Sequence, residues 1–149
     1  FDEDALSGNV NPLIPGEEEK LIAELKYLLG LEIPVIASCN RVPERDGHFV
    51  SCGVEVSRET SMEEVLRLMN IPTLNLPSSP EKVNNIVENS PTRDEHLWIG
   101  NGMTTTVGNI RVDGKIIRFD ALSHNTVRGA AGGVILLAEF AVQESYITK

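Results

Sequence analysis

The chain is expected to fold as an α+β domain, with a mixed, mostly antiparallel sheet and helices on one face. Three observations predict this. Residues 49–56 alternate, with Val50, Cys52, Val54 and Val56 on one side and Ser51, Gly53 and Glu55 on the other. Two strand-like runs, 103–112 and 115–122, flank Asp113-Gly114, a two-residue hairpin signal. Helical periodicity stands apart from these strands, at 17–29, after Ser61 and again after Asn125.

The elements follow in chain order. Residues 1–16 read as loop, punctuated by Gly8, Pro12, Pro15 and Gly16. Residues 17–29 form an amphipathic helix, with Leu21, Ile22, Leu25, Leu28 and Leu29 at helical spacing. Glu17, Glu18 and Glu19 occupy its first turn, where the helix dipole favours negative charge, and Gly30 stops it. Residues 33–39 are a short apolar run with Pro34 near its start, read as a strand near a sheet edge. The alternating strand 49–56 comes next. Ser61-Met62-Glu63-Glu64 is a capping box, and Met62, Val65, Leu66 and Met69 give the helix behind it an apolar stripe.

Residues 71–100 are broken by Pro72, Pro77, Pro80 and Pro91. Residues 82–87 read as a strand, with a helical turn as the alternative. In the second hairpin strand Ile117, Phe119 and Ala121 share one face, while Arg118 and Asp120 point the other way. A last helix runs over 126–146 and begins among Gly129, Gly132 and Gly133. Glycine inside a helix costs roughly 1 kcal/mol relative to alanine, so these positions call for close approach to another backbone or to a flat ligand.

The 149 residues fit one domain. A hydrophobic content of 41% supplies a core that must be aliphatic, because only 5% of residues are aromatic. The net charge of −9 argues against a nucleic-acid partner, which needs a basic footprint, but leaves an anionic small molecule open. The longest apolar run, 134–138, is too short to cross a membrane, and a cytoplasmic protein is expected. The start at Phe1-Asp2-Glu3-Asp4 is read as that of a piece of a longer protein. Cys39 and Cys52 read as half of neither a metal site nor a CxxC motif. Reduced, buried thiols are the expectation, with a disulfide or a nucleophile as lesser alternatives.

Three groups of residues could carry chemistry. Arg41 and His48 bracket a Pro…Asp-Gly loop between two strand-like runs. A guanidinium clamps a carboxylate with two parallel bonds, and an imidazole exchanges a proton near neutral pH. The competing account is a solvated loop in which Arg41 and Arg45 pair with Glu44 or Asp46. Glu17 and Lys20, at i and i+3, share a helix face and offer an acid for an ammonium and a base for a phosphate; read alone, a surface ion pair is the plainer account of them. Asn125 opens the glycine-rich helix, whose free amides suit a polar cofactor group, or simply caps it.

Four segments occur in order: Gly16-Glu-Glu-Glu-Lys20, Arg41-Val-Pro-(x3)-Gly-His48, Gly100-Asn-Gly-Met-(x3)-Val-Gly-Asn-Ile-Arg111 and His124-Asn-Thr-Val-Arg-Gly-Ala-Ala-Gly-Gly133. Together they resemble the C-terminal half of aspartate-β-semialdehyde dehydrogenases of the archaeal and fungal type, over nearly the whole chain. The resemblance implies a fold like the C-terminal domain of glyceraldehyde-3-phosphate dehydrogenase. It implies NADPH-dependent reduction of 4-phospho-aspartate to aspartate semialdehyde, feeding lysine, methionine and threonine synthesis. It places the nucleophilic cysteine and the NADP-binding Rossmann domain in an N-terminal half, on the order of 150 residues.

The same resemblance implies residue roles. Arg41 would hold the substrate α-carboxylate, Glu17 its α-ammonium and Lys20 the phosphate. His48 would be the acid/base, and Asn125 and Gly129 would meet the cofactor. Residues 1–123 would form the catalytic and dimerisation domain, and 124–149 a helix that packs back on the Rossmann domain. Partners would be the small-molecule substrate, phosphate and further copies in a homodimer or homotetramer. Departures are Asn40, where the family usually has an apolar residue, and Phe49, where a small hydroxyl residue is common. The isolated chain is expected to be inactive. The alternatives are a malonyl-CoA reductase-like acyl-CoA reductase and a non-catalytic dimerisation fragment.

Overall fold

The computed structural model describes residues 10, 11, 14–30 and 32–147. The loop expected over 1–16 falls mostly outside the described residues. The chain divides into two compact units, residues 1–45 and 46–149.

In the first unit, helix α1 spans Glu17–Leu29, as its periodicity predicts. Gly16 enters it at φ +79° and Gly30 leaves it at φ +61°, with the Gly30 amide donating to the Lys26 carbonyl. The expected strand over 33–39 does not form. Pro34 has no amide to give a ladder. The Cys39 amide, which a ladder would use, instead donates to the Glu18 carboxylate at 2.9 Å. The extended pairing of this unit is displaced to Asn11 and Arg41, which exchange amide–carbonyl bonds of 3.0 Å in each direction.

The second unit holds a four-stranded mixed sheet. Strand β1 is His48–Glu55, one residue earlier than expected. Helix α2 follows at Met62–Met69, then the short strand β2 at Asn84–Ile86 and a single helical turn, α3, at Arg93–His96. Strands β3, Thr105–Asp113, and β4, Ile116–Ser123, form the hairpin. Helix α4 spans Gly132–Gln143. The strand order is β1-β4-β3-β2, antiparallel except for the β2–β3 pair. The α+β expectation with a mostly antiparallel sheet therefore holds. Asn84 lies in the segment expected as a strand at 82–87, and its side chain donates to the Met69 carbonyl, tying β2 to the end of α2.

Several boundaries differ from expectation for local reasons. Asp113 pairs with Ile116, so the hairpin loop is Gly114-Lys115 rather than Asp113-Gly114. Gly114 takes φ +57°, the left-handed conformation that glycine adopts without strain. The capping box at Ser61 is half-formed. The Ser61 hydroxyl accepts the Glu64 amide at 3.2 Å, but the Glu64 carboxylate turns to Arg58 and Thr60. A charge-assisted pair with a guanidinium is the stronger bond and takes the carboxylate away from the cap. Their effect holds the Glu64 carboxyl down at about 2.

The last helix begins later and ends earlier than 126–146. A wide i→i+5 turn over Val127–Ala131 comes first, with the Gly129 amide bonded to the His124 carbonyl and the Ala131 amide to that of Thr126. A Cβ at Gly132 would stand 2.4 Å from the Met103 sulfur, and one at Gly133 2.4 Å from the Arg128 carbonyl. These two glycines thus serve close packing by the chain itself. Helix α4 is anchored by Glu139, which accepts from the Ser78 amide and hydroxyl at 2.9 and 2.7 Å.

The core of the second unit is Val65, Leu97, Met103, Val107 and Leu122. Asp120 is also buried, on the sheet face it shares with Leu122. Three donors make that tolerable: the Ser51 hydroxyl and the Asn109 amide, each at 2.7 Å, and the Ser90 hydroxyl. The hydrogen bonds from Ser90, Asn109 and Ser51 hold the Asp120 carboxyl below the usual range, against the cost of its burial. Among the described residues no helix is long and apolar enough to cross a membrane.

Candidate active site

Glu17, Lys20 and Arg41 belong to the first unit. Glu17 and Lys20 stand 3.8 Å apart on α1, both largely exposed. An exposed pair of this kind contributes about 0–1 kcal/mol, so its geometry alone expresses little stabilising purpose. Of the three adjacent glutamates, Glu18 is committed to the Cys39 amide. That bond fixes the segment leading into Arg41 against the first turn of α1, while the Asn11 bridge fixes the Arg41 backbone itself. One short helix face and one extended segment therefore hold the three candidates of this unit.

His48, Asn125 and Gly129 belong to the second unit. His48 is the first residue of β1, opposite Ser123 on β4, and is exposed. The two residues before it are held from three sides. The Gly47 amide donates to the Asn125 side-chain oxygen at 2.9 Å. Arg93 donates from Nε to the Asp46 carbonyl at 3.0 Å, with its Nη2 at 4.0 Å from the Asp46 carboxylate. Gly47 takes φ +116°, and a Cβ there would lie 3.5 Å from Leu97 and 3.6 Å from Leu122. The structure thus brings Asn125 to the backbone that carries His48.

Gly129 differs from the later glycines. A Cβ at this position would meet only the His124 carbonyl, at 3.9 Å, so its outer side is open. His124 itself is buried, with Nδ1 3.3 Å from the Thr126 hydroxyl and its ring edge-on to Trp98 at a centroid distance of 4.3 Å. Shallow depressions of the second unit, one lined by Ser51, Asn109, Arg111, Arg118 and Asp120 and another by Glu88, Ser90 and His96, include neither His48 nor Asn125.

Arg93 and Asp46 are the contributors that spacing did not single out. Arg93 lies in the proline-broken 71–100 stretch, where periodicity gives no signal for it. Cys39 and Cys52 are both unpaired, and burial pushes the Cys52 thiol up, away from the thiolate a nucleophile needs. Among the described residues no group of histidines, cysteines and carboxylates could hold a metal ion.

Comparison with known proteins adds three kinds of likeness. A family model described as "Semialdehyde dehydrogenase, dimerisation domain" matches residues 3–128. An aspartate-semialdehyde dehydrogenase of Archaeoglobus fulgidus is 45% identical across 96% of this chain and 46% of its own length. A malonyl CoA reductase (NADP) of Metallosphaera sedula is 34% identical across 95% of this chain and 45% of its own. The crystal structure of aspartate semialdehyde dehydrogenase with NADP from Candida albicans superposes with a TM-score of 0.81 at 30% identity, over 99% of this chain and 48% of that one. The chain spans about half the length of the curated relatives it matches.

Proposed function

Because the chain belongs to the semialdehyde dehydrogenase dimerisation-domain family, we propose that it is the substrate-binding, acid/base and dimerisation half of an aspartate-semialdehyde dehydrogenase. In the whole protein the reaction is the NADPH-dependent reduction of 4-phospho-aspartate to aspartate semialdehyde, in cytoplasmic amino-acid biosynthesis. The protein works as a homodimer or homotetramer.

Arg41 holds the substrate α-carboxylate, because its planar fork matches two carboxylate oxygens. Glu17 meets the α-ammonium and Lys20 the phosphate, each through an exposed head group at the start of α1. His48 accepts and returns one proton at its imidazole, a role suited to an exposed ring on a fixed strand start. Residues 1–123 carry these functions, and 124–149 pack toward the cofactor-binding half, which also supplies the nucleophilic cysteine.

The chain's residues fit an NADP cofactor at one place. Gly129 is open on its outer side and Asn125 is exposed next to it, whereas Gly132 and Gly133 are filled by the chain's own atoms. Asn125 and Gly129 would border the nicotinamide, which supplies the hydride when bound. The Gly47–Asn125 hydrogen bond supports the assignment most directly, since it sets the acid/base candidate and the cofactor candidate on one frame.

A second reading is an acyl-CoA reductase, favoured by the 34% identity to a malonyl CoA reductase. Such an enzyme has no ammonium for Glu17 to meet. Steady-state assays of the full-length protein with aspartate semialdehyde and with malonyl-CoA separate the two. Turnover of the amino-acid substrate, with a KM raised by Glu17→Gln, is expected; turnover of the thioester alone contradicts it.

A further inference from the structure

We propose that Arg93 is a positioning residue for His48, acting through a clasp on Asp46-Gly47 that Asn125 closes from the other side. The proposal rests on the acid/base role of His48 given above.

The geometry supports a backbone clasp rather than a surface ion pair. Arg93 donates from Nε to the main-chain carbonyl of Asp46 at 3.0 Å. Its approaches to carboxylates, Nη2 to Asp46 at 4.0 Å and Nη1 to Asp94 at 3.8 Å, are the looser contacts. The N–H of that same peptide unit, on Gly47, is held by the Asn125 side-chain oxygen. One peptide plane is therefore held at both its carbonyl and its N–H, from two elements far apart in sequence, α3 and the start of the glycine-rich segment. Below them, Leu97 and Leu122 pack under Gly47, whose φ of +116° few residues other than glycine accept. Leu97 caps α3, so one short turn supplies both the guanidinium and the apolar floor.

The consequence falls on the next residue. The imidazole of His48 projects from the first position of β1, and its direction follows from the peptide planes before it and from the Ser123 register after it. A shift of about 1 Å in a catalytic group can cost on the order of 100-fold in rate. Side chains that hold the preceding backbone then set where the ring points. The clasp also gives Asn125 a task separate from the cofactor: its oxygen accepts a backbone proton, which leaves its NH2 and the oxygen's second lone pair for another partner.

The test uses full-length protein with 15N-labelled glycine, and the variants Arg93→Ala, Arg93→Lys and Asn125→Asp. Aspartate at position 125 keeps the oxygen acceptor and removes the amide donor. Arg93→Ala is expected to speed exchange of the Gly47 amide and to lower kcat about 10- to 100-fold, with KM for aspartate semialdehyde changed less than about twofold. Arg93→Lys should recover part of both, because one charged donor to the Asp46 carbonyl remains. Asn125→Asp should keep the Gly47 amide protected. If Arg93→Ala loses its fold, Arg93→Lys alone decides, by an intermediate exchange rate and kcat. An active Arg93→Ala enzyme with unchanged Gly47 exchange and unchanged kcat overturns the clasp. So does a fall in kcat with no change at Gly47. A wild-type protein without turnover on aspartate semialdehyde overturns the acid/base assignment instead, whatever the exchange data show.

Discussion

Asn125 accepts the Gly47 amide proton at 2.9 Å across 78 residues of sequence. It joins the loop before the first strand of the sheet to the turn after the last. Removing the acceptor in Asn125→Ala should destabilise the fold by about 0.5–1.5 kcal/mol, the net worth of one hydrogen bond. The effect on turnover should exceed what that loss of stability explains. Denaturant melts and kcat measured on the same preparation check the pair of expectations.

Asp120 makes the second unit acid-sensitive. Its carboxyl is held low by Ser90, Asn109 and Ser51, so the folded group ionises at lower pH than the unfolded one. The resulting stability is complete above the unfolded value of roughly 4 and is lost as pH falls through the folded value. Asp120→Asn should cost about 1–3 kcal/mol at neutral pH, the penalty of misdirected buried polar groups. It should also flatten the acid limb of the stability profile. Urea melts at a series of pH values between neutral and strongly acidic measure both.

Gly108 is a packing constraint on the same face. A Cβ there would stand 2.0 Å from the Asn89 carbonyl, a backbone atom that cannot swing aside. Gly108→Ala should destabilise by about 1–3 kcal/mol or more through forced backbone movement. A thermal melt that left the midpoint unchanged would mean that the 87–90 segment does not lie against the sheet as described.

The elements with a full period were legible beforehand. Helix α1 repeats apolar residues from Leu21 to Leu29 at helical spacing, and β1 alternates from Val50 to Glu55, so side-chain spacing defines them. The 33–39 run forms no strand: apolar composition does not say whether a ladder partner exists, and here the Cys39 amide bonds a side chain instead. The 71–100 stretch hid Arg93 because its prolines erase periodicity and its contact with Asp46 spans 47 residues. The burial of Asp120 was equally hidden, since it depends on donors from three separate segments. Motifs name His48 and Asn125, but the hydrogen bond from Gly47, the residue before His48, to the Asn125 side chain spans 78 residues and carries no sequence signal.

Arg41 and His48 should separate kinetically in the full-length protein. Arg41→Lys should raise KM about tenfold with a smaller change in kcat, because a point charge cannot reproduce a two-bond clamp. An Arg41→Lys enzyme with normal KM and depressed kcat would reverse the assignment.

Phosphate-dependent reduction of NADP by full-length protein with aspartate semialdehyde, compared between wild type and His48→Ala, tests the central claim most directly. Wild-type turnover that needs phosphate, with kcat lowered about 100- to 10,000-fold in His48→Ala and KM nearly unchanged, is the predicted result. A His48→Ala enzyme that turns over at the wild-type rate, or a wild type that ignores aspartate semialdehyde, would contradict it.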